Sequence, residues 1–279
     1  MASLFRFRSL MLVFAAGGLM SCSPAAALGQ ETDNAARGER LSMMRNRAGE
    51  LVVKLGPATT AKVIKPDAEA SLRFNDATRE FHDGTLWAFC DRGRPCVLVS
   101  IERYEKFWSH ELISLTDRPL TVEAGEWTWQ PQDSPVTFQP VAKADAPAKT
   151  ADGRGRQARA LARRFAAVEF LGDEQERTEL RLQPRPILTY ESPDHGIATG
   201  ALFVLSNGTN PEVLLILEAA AAGEVSHWQF AFARISTAAL EASLDGERVW
   251  QAERSQMPRN QTGYTYYAME ADPISDEKP

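Results

Sequence analysis

The residues with the clearest potential for chemistry are two glutamates, Glu102 and Glu218. Each closes a run of apolar residues, Val97 to Ile101 and Val213 to Leu217. Two carboxylates in one cleft can share a proton or divide acid and base roles, because like charges a few ångströms apart resist ionising together. The plainer alternative is a strand-end charge in each case, solvated or paired with an arginine. The four histidines, His82, His110, His195 and His227, contain no i, i+4 pair, so a His-based metal site would require the fold to gather distant residues. There is no Gly-x-Ser-x-Gly elbow, and Gly153-Arg154-Gly155 is not a phosphate loop. The sequence implies no metal and no cofactor, and the balance is against an enzyme.

Other residue patterns suit binding or bracing. Trp127 and Trp129, like Tyr264 and Tyr266, lie two apart and would share one face of a strand. Aromatics so placed can stack on a sugar ring or a peptide; core packing is the competing explanation. Arg154, Arg156, Arg159, Arg163 and Arg164 make the start of a helix strongly basic. That pattern suits an anionic polymer or lipid head groups, or simply a solvated helix face. Cys90 and Cys96 flank the Asp91 to Pro95 turn. Facing each other across a hairpin in an oxidising compartment, they would form a disulfide.

What must position these residues is a unit that occurs twice. Gly84, Leu86, Pro95, Val97, Leu98 and Glu102 recur as Gly200, Leu202, Pro211, Val213, Leu214 and Glu218, at a constant offset of 116. After short insertions Trp108 matches Trp228, and Gly125, Glu126 and Trp129 match Gly246, Glu247 and Trp250. Self-similarity over so many positions signals tandem units. Each begins with an amphipathic helix: Leu41, Met44 and Ala48 at i, i+3, i+7, then Ala158, Leu161 and Phe165. Short apolar runs follow, joined by turns such as Asn207-Gly208 and Asp245-Gly246. The expected fold is α+β: two repeats related by a pseudo-twofold, each a short helix and about five or six mostly antiparallel strands.

The boundaries read as an export signal at 1–27, a flexible leader at 28–39, a first repeat at 40–139, a linker at 140–155, a second repeat at 156–269 and a disordered acidic tail at 270–279. The signal rests on Arg6 and Arg8, an apolar stretch from Leu10 to Met20, and small residues to Ala27. Cleavage after Ala25-Ala26-Ala27 competes with lipidation at Cys22 in the lipobox-like Leu19-Met20-Ser21-Cys22; Met20 tips the balance toward cleavage. An uncleaved anchor is the third option. Losing the two signal arginines takes the net charge from -6 to -8. So acidic a chain lacks the basic footprint of nucleic-acid binders.

The stretch Gly200-Ala-Leu-Phe-Val204, Gly208-Thr-Asn-Pro-Glu-Val-Leu-Leu-Ile-Leu-Glu218, Trp228, Arg234 and Trp250, preceded by Leu182-Gln-Pro-Arg-Pro-Ile-Leu-Thr-Tyr190, resembles a family of exported proteins from planctomycete-type bacteria. The likeness runs through most of the chain and is more specific in the second half. Thr199 and Asn210 stand where that family has aspartates. The family carries no assigned activity, so the resemblance implies export and a bacterial setting and nothing about chemistry.

The expectation is therefore an exported, non-enzymatic envelope protein, periplasmic or at the cell surface, acting as a binding or structural module. Its partner would be an envelope protein or polymer. It would bind no nucleic acid and touch membrane only through a lipid on Cys22. The alternative is a hydrolase or small-ligand-binding protein with Glu102 and Glu218 in a cleft between the repeats.

Overall fold

The computed structural model describes residues 24–76, 81–133, 136–172, 176–222, 225–255 and 262–270. Strands dominate, nearly all in antiparallel ladders, with two α-helices. The stretch expected as an export signal, up to Ser23 and with Cys22, and the expected acidic tail from 271 lie outside the described residues.

The first half runs α1 (Pro24–Glu50), β1 (Val52–Leu55), β2 (Lys62–Ile64), β3 (Leu72–Asp76), β4 (Phe81–Asp91), β5 (Arg94–Tyr104), β6 (Phe107–Ser114), β7 (Leu120–Ala124) and β8 (Trp127–Trp129). A short strand, β9 (Gln139–Pro140), leads to α2 (Ala151–Ala162). The second half continues with β10 (Phe165–Leu171), β11 (Glu176–Leu182), β12 (Leu188–Ser192), β13 (Ile197–Asn207), β14 (Asn210–Ala222), β15 (Val225–Arg234), β16 (Ala239–Leu244), β17 (Glu247–Ala252) and β18 (Tyr264–Glu270).

In the first half β1 pairs with β2 and β7, β7 with β8, and β3, β4, β5 and β6 form a meander. In the second, β10 pairs with β11 and β16, β16 with β17, and β12, β13, β14 and β15 form a meander. The registers run in parallel: Gly84 faces Glu102, and Gly200 faces Glu218. Register shifts fall at Phe81/Asp83 and Phe89/Cys90 in one hairpin, and at Ile197/Thr199 and Leu205/Ser206 in the other. In the second half β11 joins β13 through Arg181 and Leu182, giving one continuous sheet. In the first, a single bridge from Pro66 to Phe89 stands there. Pro66 has no backbone N–H with which to extend the ladder.

Local sequence explains the element ends. Thr150 caps α2 by accepting from the Gly153 amide, and Ala158, Leu161 and Ala162 form its buried face. The β16–β17 turn uses Asp245 at φ 51° and Gly246 at φ 87°, the left-handed pair that matches strand twist.

Alternation sends odd and even residues of each meander to different cores. Trp87, Phe89, Val97, Val99 and Ile101 face a core closed by Met44 and Ala48 of α1 and by β1, β7 and β8. Phe203, Leu205, Val213, Leu215 and Leu217 face one closed by α2, β10 and β16. The opposite faces meet: Leu86, Ala88 and Leu98 share a central core with Leu202, Val204, Leu214 and Ile216.

Each half also lends a strand to the other's sheet. β9 pairs with β15, Gln139 facing Phe230, and β18 pairs with β6, Tyr267 facing His110. The expected boundaries therefore need correction, since the sheets cross the divisions at 139 and 156–269. The segment 140–155, expected as a flexible linker, is tied down. Val141 is buried and its amide donates to the Trp228 carbonyl, while Gln157 accepts from the Ala148 amide and donates to the Ala146 carbonyl. The leader expected at 28–39 continues α1, which is much longer than the three turns anticipated.

Candidate functional site

The second meander places four residues in one row: Tyr190 on β12, Gly200 on β13, Glu218 on β14 and Gln229 on β15. All lie on the face turned toward the first half. Gly200 is what makes the row work. The Tyr190 ring lies across it so closely that no Cβ would fit. Its phenol thereby reaches past β13 and donates to Glu218 Oε1 at 2.6 Å. From the other side Gln229 Nε2 donates to Oε2 at 2.8 Å.

The last donor comes from the first half. Arg94, at the start of β5, grips the carboxylate with two bonds, Nε to Oε1 at 2.9 Å and Nη2 to Oε2 at 3.0 Å. Its guanidinium also sits 5.0 Å over the Phe138 ring. Glu218 has no exposed surface and Arg94 is about one quarter exposed (26%). Burial acts to lower the Arg94 pKa, but the Glu218 charge and the neighbouring Tyr190 outweigh it and the net shift is upward. Burial first, and the Glu218 charge second, hold the Tyr190 phenol well above its ordinary value, so it stays a proton donor. A fork-shaped guanidinium and a carboxylate form the strongest sort of protein hydrogen-bond pair.

The rest of the β4–β5 tip is pinned to β12. Arg92 and Gly93 turn with φ 50° and 88°, and Gly93 approaches the Glu191 carbonyl too closely for any Cβ. Ser192 Oγ donates to the Arg92 carbonyl at 2.7 Å and lies 2.8 Å from His195 Nδ1; Arg92 pairs with Asp194 at 3.4 Å. Ser192, Asp194 and His195 have the residue types of a hydrolytic triad. The serine proton is committed to a carbonyl, however, so His195 Nδ1 must donate to Oγ, opposite to a general base.

Glu102 occupies the corresponding place in the first meander. It accepts from Ser100 Oγ at 3.2 Å and from Tyr104 OH at 3.1 Å, and is buried (6% exposed). The two glutamates are not brought together. Arg94, which holds Glu218, lies eight residues along β5 from Glu102, about 26 Å of extended chain. The carboxylates sit at opposite ends of the central interface. Both are buried, which also removes the solvated strand-end reading.

The aromatic pairs do not make an open stacking face either. Trp129 is wholly buried with Nε1 bonded to the Thr262 carbonyl, and Trp127 packs 4.5 Å from Tyr267. Tyr264 is buried, donates to Glu111 Oε1 at 2.9 Å and carries Arg234 over its ring. Tyr266 packs on the central core. Cys90 and Cys96 are free thiols, against the expected disulfide. The register shift after Phe89 sets Cys90 opposite Pro95 instead of Cys96. Cys90 then packs toward the central core and Cys96 toward the core of the first half. Burial, with Asp67 and Cys96 adding to it, pushes the Cys90 thiol up to about 12.

His110 is almost fully buried and stacks on Tyr267 at 4.5 Å. Its Nδ1 has no hydrogen-bond partner. Burial, reinforced by Arg47, pushes its pKa down to about 3. The side chain of His82 lies outside the described residues. Among the described residues no group of three or more His, Cys, Asp and Glu is placed to hold a metal ion. Among them also, no helix is long and apolar enough to cross a membrane.

The residues that complete the buried site, Arg94, Tyr190 and Gln229, were not singled out from sequence. The usable signal was the glycine opposite a glutamate in both long hairpins, Gly84–Glu102 and Gly200–Glu218. Comparison with protein-family models, with curated proteins and with solved structures finds no match to this chain.

Proposed function

We propose that this is an exported, non-enzymatic envelope protein, a binding or structural module made by tandem duplication of one α+β unit. The observation that carries the reading is the fate of Glu218. The buried carboxylate best placed for chemistry gives both oxygens to Arg94, Tyr190 and Gln229. A carboxylate with four donors has no lone pair directed at a substrate, and its role is to join two halves.

The duplication is supported by the offset of 116, the matching pairings and the coincident register shifts. The reciprocal loan of β9 and β18 fits a pseudo-twofold in which each unit completes the other. Export to the periplasm or cell surface is supported by the basic and apolar N-terminus. The planctomycete-type family remains the proposed relationship, on the residues quoted for it. The partner is an envelope protein or polymer held on the outer surfaces, with nucleic acid disfavoured by the acidic charge.

The test is fractionation of the source cell followed by capture with the full chain tagged at its C-terminus. The reading expects the chain in the envelope fraction with a protein or polymer co-purifying. A cytoplasmic chain, or an envelope chain that captures nothing, would overturn it. Labelling with a fatty-acid probe, with Cys22→Ala as control, decides between cleavage and lipidation.

A further inference from the structure

The two halves differ sharply in the groove between helix and meander. In the first half the groove is filled. Arg73 on β3 donates to the Asp83 carboxylate and, at 2.6 Å, to the Arg37 carbonyl of α1. Its guanidinium spans from strand to helix, and Arg40 reaches Asp83 from the other side. In the second half Thr189 stands at the Arg73 position and Thr199 at the Asp83 position, both at offset 116. A groove of about 500 Å³ opens there, lined by Asp152, Arg156, Arg159, Thr189, Glu191 and Thr199.

The charges on the helix change with it. At the offset of 117 that relates the helices, Arg156 and Arg159 replace Glu39 and Ser42. They lie one turn apart on the same face. The Arg159 guanidinium folds back over Gly155, with Nη1 3.8 Å from where a Cβ would sit. The neighbouring arginines are committed. Arg154 donates to Thr199 Oγ1 and to the Ala148, Lys149 and Ala198 carbonyls, and Arg164 forks onto Asp245. Arg156 and Arg159 have no such partner among the described residues, and both line the groove.

We propose that this groove binds an acidic saccharide unit, one carboxylate-bearing sugar of an envelope polymer. The inference rests on the binding-module reading and names its ligand. The lining selects the class. Two arginine forks match one carboxylate. The Thr189 hydroxyl and the Asp152 carboxylate suit the hydroxyls of a sugar ring, while the Thr199 hydroxyl, held between Arg154 and the Ala198 carbonyl, and the Glu191 carboxylate, paired with Arg154 at 3.6 Å, wall the groove. Those same two carboxylates repel a densely charged polyanion. The volume exceeds what a bare oxyanion fills and lies in the ordinary range for small-molecule sites.

The test is an amide-shift NMR titration of the full chain with sodium glucuronate, glucose and sodium sulfate. Glucuronate should shift amides of residues 152–159 and 189–199 with a dissociation constant on the order of 1 mM, as expected for about thirteen non-hydrogen atoms at ordinary ligand efficiency. Thr189→Arg refills the groove as Arg73 does in the other half, and Arg156→Glu restores that half's charge. Each should weaken binding at least tenfold, by rough analogy with the loss of one charged hydrogen bond. Arg163→Glu makes the same charge change on a residue outside the groove lining and should leave binding within about twofold. Glucose or sulfate binding as tightly as glucuronate would overturn the proposal, as would a Thr189→Arg variant that binds unchanged. A silent groove in a chain that still captures an envelope partner would sink this site alone and leave the module reading standing.

Discussion

The two meanders carry the same row across four strands and use it differently. In the first the row is Phe74, Gly84, Glu102 and Ser109; in the second it is Tyr190, Gly200, Glu218 and Gln229. In both, a glycine lets an aromatic ring lie flat across the central strand. Only in the second does that ring carry a hydroxyl, and only there does the last position carry an amide donor. The hairpin tip that meets the second row offers Arg94; the tip at the equivalent place in the other half offers Asn210. The backbone thus fixes where a carboxylate stands, while single side chains decide whether it becomes an inter-half clamp.

The largest expected effect comes from breaking that asymmetry at its strongest point. Arg94→Met leaves Glu218 buried without its cation and should cost about 3–5 kcal/mol in urea denaturation. Glu102→Gln, the matching perturbation in the other row, should cost about 1–2 kcal/mol, since it weakens the Ser100 and Tyr104 hydroxyl bonds to a charged acceptor. Equal losses would erase the distinction between the rows. Tyr190→Phe converts the second row into the first at one atom and should cost about 2 kcal/mol, the usual worth of a hydrogen bond to a charged group.

A second asymmetry is His110, which occupies the place of Phe230 in the other half. Its folded pKa of about 3 lies below the ordinary imidazole value of 6.5. The unfolded chain therefore binds the proton first. Its contribution is intact above about pH 6.5 and falls with pH from there down to about 3, at up to about 1.4 kcal/mol per pH unit. The wild-type chain should lose about 2 kcal/mol from this group between pH 6.5 and 5, and His110→Phe should flatten that limb. Identical pH profiles for the two proteins would show that His110 is protonated in place.

The smallest effect concerns the first hairpin's thiols, which Ser206 and Glu212 replace in the second. With no disulfide to break, reductant should leave the melting temperature unchanged within error. Native Cys90 should resist alkylation at pH 8, because its thiol sits at about 12 and stays protonated. A reductant-sensitive melting temperature would restore the bridge expected from spacing.

Much of the fold was legible because it depends on local pattern. The Asp245-Gly246 turn, the Met44 and Ala48 face and the two long hairpins follow from periodicity and turn chemistry. The exchange of β9 and β18 was not legible, since two residues such as Gln139 and Pro140 carry no strand signal and their partner lies about ninety residues away. The disulfide misled because spacing ignores a register shift: β5 carries one extra residue between Pro95 and Val97, and that residue, Cys96, turns to the other face from Cys90. The clamp stayed hidden for a different reason. Arg94 and Glu218 are 124 residues apart and meet only when the two central faces pack. A sequence shows that Glu218 is buried among apolar neighbours, but not which distant cation compensates it.

The most direct measurement is a double-mutant cycle on Arg94 and Glu218, with Arg94→Met, Glu218→Gln and the pair compared by urea denaturation. The clamp predicts a coupling energy of about 2 kcal/mol or more, because each single change strands a buried partner that the double change removes. Additivity to within about 0.5 kcal/mol would contradict it, and would mean that the two halves are held by their apolar faces and exchanged strands alone.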